Sequence, residues 1–187
     1  MKTLVFLLSA TMYLATVCGC GGVTVTDEDG KKVRISTDGS SITAQGDGSD
    51  VEISSGDNKI SINSQNEDGS TVAQAGEGAE IPAAFPSDVP VLQGSKVVLA
   101  VENKTANSDN YTLTLQADAE IDEVISFYHS SFESNGWEIG EQNTLDSSGQ
   151  KYATLVCNKD NMKCTTAIIG KSGDQVTINL TVEISKE

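Results

Sequence analysis

Between residues 23 and 73 aliphatic residues come in pairs two positions apart: Val23/Val25, Val33/Ile35, Ile42/Ala44, Val51/Ile53 and Ile60/Ile62. The pairs recur at steps of ten, nine, nine and nine residues, with Asp29-Gly30, Asp38-Gly39, Asp47-Gly48 and Gly56-Asp57 between them. A spacing of two puts both side chains on one face of a strand, and Asp-Gly tolerates the positive φ of a tight hairpin turn. The rhythm therefore predicts short strands of three to five residues, with one aliphatic face and one Ser/Thr/Asn/Gln face. The first reading is a meander or solenoid-like sheet. A disordered Gly/Ser/Asp spacer is one alternative, because the aliphatics are few and no aromatic falls between 14 and 84. A calcium-binding β-roll is the other, since nine is also the period of that repeat. Gly46-Asp47-Gly48-Ser49-Asp50-Val51 comes nearest to it, with its aliphatic one residue early.

Pro82, Pro86 and Pro90 fix extended geometry, forbid helix and mark a domain boundary. Beyond them Lys96 to Val101 and Tyr111-Thr112-Leu113-Thr114-Leu115 read as strands, with Asn107-Ser108-Asp109-Asn110 as the turn between. Ile121, Val124, Ile125, Tyr128 and Phe132 then form one apolar helical stripe. Asp118 is the predicted N-cap, Glu120, Asp122 and Glu123 suit the positive end of the dipole, and Gly136 is the predicted stop. Trp137-Glu138-Ile139 opens a further strand, and the alternating run Gln175 to Ile184 closes the chain as a long half-buried one. The order β-β-α-β-β-β-β predicts an α+β domain, an antiparallel sheet with one packed helix, preceded by the short-strand β-repeat segment.

Cys157 and Cys164 stand at the inner ends of two strand-like runs, Tyr152 to Cys157 and Cys164 to Ile169, around the polar loop 158–163. Opposed positions on a hairpin come near disulfide distance, so the two are expected to pair. Closing so short a loop contributes roughly 2.5 kcal/mol in the chain-entropy model.

The chain opens with Lys2 and an apolar run of about 16 residues, shorter than the ~20 of a membrane span. It ends in Val17-Cys18-Gly19-Cys20, which resembles the lipobox of bacterial lipoproteins. The expected processing removes residues 1–19 and places lipid on Cys20; a diacylglyceryl group anchors a protein stably without a transmembrane helix. Cys18 is a poorer anchor, with Val17 directly before it. Gly21, where Asp resembles an inner-membrane retention signal, points to the outer membrane. The reading is thus a signal peptide over 1–19, an anchored repeat or spacer over 20–80 and an α+β domain over 81–187.

The net charge is −15, and 20–80 and 81–187 each carry −8. Phosphate backbones are gripped by clustered Lys and Arg, so nucleic acid is excluded as a partner. His129 is the single histidine, with Glu133 one helical turn away. No Gly-x-Ser-x-Gly, His-Glu-x-x-His or phosphate-cradling loop accompanies it, and a helix-surface role is expected. Tyr128, Phe132 and Trp137 are expected in the core, while Phe127 falls off the stripe and is a candidate for lining a groove.

The lead-in Phe85-Pro86-Ser87-Asp88-Val89-Pro90-Val91, the helix and Asn135-Gly136-Trp137 together resemble a domain that recurs in bacterial lipoproteins. There too, a signal and a Gly/Asp-rich strand segment precede it. Leu92-Gln93-Gly94 stands where that group carries a Tyr-Pro-Gly type of turn. The resemblance covers about 86–139 and implies a fold and a location, with no catalytic residues. The functional expectation is a non-enzymatic, lipid-anchored envelope module without cofactor or metal. Its contacts are the membrane, through the anchor, and an envelope protein, polysaccharide or small ligand. An envelope hydrolase and a calcium-dependent adhesive module are the alternatives.

Overall fold

A computed structural model describes residues 23–26, 32–37, 41–46, 49–56, 58–171 and 173–186, with side chains from Ser41 onward. The signal segment, Cys20 and the turns at Asp29-Gly30, Asp38-Gly39 and Asp47-Gly48 lie outside the described residues, as does Asp57. The repeat is six strands: β1 (Val23–Thr26), β2 (Lys32–Thr37), β3 (Ser41–Gly46), β4 (Ser49–Gly56), β5 (Lys59–Asn66) and β6 (Gly69–Gly76). The remainder supplies β7 (Lys96–Thr105), β8 (Ser108–Ala117), α1 (Ile121–Ser134), β9 (Glu138–Ser147), β10 (Gln150–Lys159), β11 (Met162–Lys171) and β12 (Val176–Ser185).

All twelve strands belong to one antiparallel sheet in the order β1-β2-β3-β4-β5-β6-β7-β8-β12-β11-β10-β9. The meander runs without interruption from β1 to β8. Helix α1 then crosses one face to the far edge, and β9 to β12 return until β12 closes on β8. The repeat therefore joins the C-terminal sheet edge to edge, through β6 against β7, where Ala73 faces Val101 and Ala75 faces Leu99. Antiparallel pairing between successive repeats also removes the β-roll, whose turns stack in parallel.

Side-chain alternation shows what each part of the sheet covers. Tyr111, Leu113, Leu115 and Ala117 of β8, and Val176, Ile178, Leu180 and Val182 of β12, are buried on one face. Leu155 of β10 and Ile168 of β11 join them. Helix α1 lies on this face with Ile121, Val124, Tyr128 and Phe132 buried, the predicted stripe, and Ile125 half-buried beside them. Burying each such side chain stabilises by about 1.5–3 kcal/mol. The outer stripe is Ser126, Ser130 and Ser134, each hydroxyl donating to the carbonyl four residues back at 2.8 Å.

The helix ends as its sequence predicts. Asn135 is the C-cap, Gly136 has φ +78°, and Gly136 N–H and Trp137 N–H return to Glu133 and Phe132 carbonyls at 3.0 and 2.9 Å. This is a Schellman closure. Its start differs from the expectation. Glu120, not Asp118, occupies the N-cap, without a side-chain capping bond, and Asp118 instead accepts from Gln175 Nε2 at 3.2 Å. Asp122 holds the first turn to the sheet through Lys151, 2.6 Å away.

Strand β7 carries a bulge between Val97 and Leu99. Val97 opposes Leu115 on the helix face, whereas Leu99 opposes Thr114 and Val101 opposes Thr112 on the other. One extra residue thus reverses the alternation, and β7 places aliphatic side chains on both faces. From Leu99 of β7 back to β3 most of the aliphatic side chains lie on the face away from α1, with Val72 and Ala100 on the helix side.

Candidate functional site

The pair at 157 and 164 requires a correction. Cys157 and Cys164 are direct partners in the β10–β11 register, as expected, yet both thiols are free. Lys159 and Met162 close a two-residue turn, with Asp160 at φ +52°. Counting outward from that closing pair, 157/164 falls on a hydrogen-bonded site, where side chains stand farther apart than at the alternate sites. Both thiols point into the core beneath the helix and pack as small apolar groups. Cys164 Sγ lies 3.8 Å from Thr166 Oγ1, the buried hydroxyl beside it. Burial pushes the Cys157 thiol up to about 11 and the Cys164 thiol up to about 12, so the reactive thiolate is suppressed at neutral pH.

His129 is on the helix rim, its Nδ1 3.4 Å from Glu133 Oε2, with both side chains well exposed. Among the described residues no further acid or hydroxyl joins the pair, so it is a surface contact between neighbouring turns. Nor does any group of three His, Cys, Asp or Glu among the described residues form a metal cage.

The aromatic cluster is a core. Phe132 and Trp137 meet edge to face at 5.5 Å, Phe127 meets Tyr128 the same way at 5.1 Å, and Phe85 meets Tyr111 at 5.9 Å. Phe127 is half-buried against this cluster. Tyr152 stays on the open face, its hydroxyl donating to Gln150 at 2.7 Å. Tyr128 is the exception in chemistry. It is fully buried between α1 and the sheet, and its hydroxyl, beside the Leu92 backbone, makes no hydrogen bond of good geometry among the described residues. Burial drives its phenol far above the ordinary range, opposed in part by the Leu92 backbone amide. A buried, unsatisfied hydroxyl costs about 1–3 kcal/mol and identifies a place where a polar atom would be welcome.

Two sequence motifs that lie far apart in the chain prove to be one structural joint. Asp88 carbonyl accepts from both Trp137 Nε1 and Asn135 Nδ2 at 3.0 Å. Lys159 Nζ reaches Asp88 Oδ2 at 2.6 Å and the Asn135 carbonyl at 2.9 Å. The proline-rich lead-in is thereby clamped to the helix exit, with Val89 buried beneath. Asp88 belongs to the lead-in motif, but its pairing with Lys159 is not legible in the sequence, because a single acid and a single base 71 positions apart carry no local signal.

On the helix side of the repeat a shallow depression of about 410 Å³ is lined by Gln45, Asp50, Glu52, Asn63, Gln65 and Ser70, among others. Val51 and Val72 also line it, and it lacks an aromatic platform on which a sugar ring would stack.

A START domain-like family model matches residues 98–183. That stretch runs from the bulge in β7 through α1 nearly to the end of β12, and so includes both walls around Tyr128. No curated protein and no solved structure matches the chain. Among the described residues no helix is long and apolar enough to cross a membrane. The C-terminal sheet and helix are thus similar to a START domain-like fold, with the six-stranded repeat joined edge to edge in front of it.

Proposed function

We propose that this chain is a non-catalytic binding module of the bacterial cell envelope, which takes a small apolar or amphiphilic molecule between α1 and the sheet. The observation that carries this reading is the START domain-like match over 98–183, which suggests a module that binds lipids or other small molecules. The buried Tyr128 hydroxyl supports it: one unsatisfied polar atom in an apolar interior suits a ligand with an apolar body and one polar group. The envelope address rests on Val17-Cys18-Gly19-Cys20, with Cys20 as the lipid-bearing residue and the outer membrane as its destination.

Titration of the protein with a dansyl-labelled fatty acid tests the ligand reading. Saturable binding at one probe per chain is expected, weakened about tenfold in Tyr128→Phe, the equivalent of one hydrogen bond. No saturable binding would overturn it. For the address, the intact mass of membrane-extracted protein should correspond to a chain starting at Cys20 with its lipid; a chain starting at Met1 would contradict it.

A further inference from the structure

From β3 to β7 the face turned away from α1 is largely apolar, and its one charge is Lys96 at the start of β7, opposite Gln116. Reading across the register, one row is Ile42, Ile53, Ile62, Ala73 and Val101. The next is Ser55, Ile60, Ala75 and Leu99, and the row on the other side is Ala44, Val51, Ser64, Thr71 and Asn103. None of these positions is Asp, Glu, Lys or Arg, in a chain of net charge −15. The other charges of the same strands, Asp50, Glu52, Lys59, Glu102 and Lys104, fall on the opposite face by alternation.

The apolar rows are exposed to a degree that a solitary sheet does not tolerate. Ile42 and Ile60 are 50% and 52% exposed, and Ile53 and Ile62 are 39% and 37%. A sheet is stable when its aliphatic face meets a second layer, and among the described residues none lies over this one.

We propose that the second layer is another copy of this chain, stacked face to face over β3–β7. Three features favour a copy over other occupants. The face carries no acid, and its one charge, Lys96, lies at the margin outside the three rows, so two strongly acidic chains can approach there without opposing carboxylates. The relief is self-complementary under a two-fold axis. Bulky Ile side chains on β3–β5 lie beside the small Ala73 and Ala75 of β6, so the ridge of one copy fits the trough of the other. The size also fits. Five strands and three rows span about 24 by 20 Å, roughly 500 Å² per copy. Contact continuing onto Thr112 and Thr114 of β8 and Thr181 of β12 reaches the roughly 1,200 Å² total of a stable interface. An anionic membrane surface suits so acidic a chain poorly.

Photo-crosslinking in cells tests this on the whole protein. A benzophenone amino acid at position 53 or 62, in cells co-producing two differently tagged copies, is expected to give a band of twice the mass carrying both tags. The same probe at Glu52 or Asn63, on the opposite face, should give none. Ile53→Lys together with Ile62→Lys should lower crosslinking from a probe at Ile60 at least about tenfold, while the melting transition persists. Crosslinking to a different protein or to lipid, no crosslinking at all, or equal yields from both faces would overturn the proposal.

Discussion

The two halves of this sheet use the same strands and turns yet solve the burial problem differently. In β8, β12, β11 and β10 the aliphatic face meets α1, and side chains such as Leu113, Leu155, Ile178 and Leu180 are completely enclosed. In β3 to β5 the isoleucines face the other way and stand a third to a half exposed. The bulge in β7 is where the aliphatic phase changes sides. Hydrogen-bonded pairing by itself extends a sheet indefinitely, but the hydrophobic contribution to stability comes from the layer laid over it. The C-terminal half carries its own layer; the repeat borrows stability edgewise from β7.

The most severe test of that contrast removes an anchor between helix and sheet. Phe132→Ala should cost about 3–5 kcal/mol, read as a lower urea midpoint, because the packed surroundings cannot collapse into the void. A loss under 1 kcal/mol would mean that the helix is not a structural layer. The repeat itself comes next, where the end of β6 meets the start of β5. Gly76 has φ +110°, and a Cβ there would strike the Asn58 carbonyl. Gly76→Ala is expected to cost about 1–3 kcal/mol and to loosen β5 and β6 while leaving the C-terminal transition in place, visible by limited proteolysis in 41–76.

Alkaline titration separates the halves without mutation, since both buried thiols belong to the helix-covered half. Their folded values, about 11 and about 12, lie above the ordinary 9.0, so the unfolded chain releases these protons first. Stability is then full below pH 9 and falls as pH rises toward 11–12, by roughly 1 kcal/mol per thiol per pH unit. Native protein at pH 8 should resist iodoacetamide, and a fast reaction there would contradict the burial. A smaller effect is expected from Ile53→Thr in dilute protein, under about 1 kcal/mol, as the side chain loses little that it had buried. The least is His129→Ala, within about 0.5 kcal/mol by chemical denaturation, because its partner is an exposed Glu133.

Much of the architecture was legible because it is written in short periods. Aliphatic pairs two apart marked β1 to β5, the stripe from Ile121 to Phe132 marked α1, and Asn135-Gly136 marked its end. Strand β6 leaves little trace in the sequence because it presents Ala73 and Ala75 where its neighbours present Ile, and alanine is a weak strand signal. Strand β9 beyond Ile139 escaped because its side chains are exposed on the sheet edge, which leaves no alternation to read. Which face the repeat presents depended on one bulged residue, Val98, which no spacing rule reveals. The cysteines show a related limit. Their opposition in the hairpin is legible, but bonding depends on which kind of ladder site they occupy, and the six polar residues 158–163 hide a turn of only two. Tyr128 was placed correctly in the core, while its unpartnered hydroxyl emerges only from the packing around Leu92 and the helix.

Amide hydrogen exchange on the intact protein across a range of concentrations measures the contrast between the two halves most directly. At low concentration the amides of β8, β11 and β12 should exchange only through global unfolding, and those of β3–β5 many times faster, with protection in β3–β5 rising as the protein is concentrated. Equal protection of both halves at every concentration would contradict the account, because the repeat would then be stable with its aliphatic face bare.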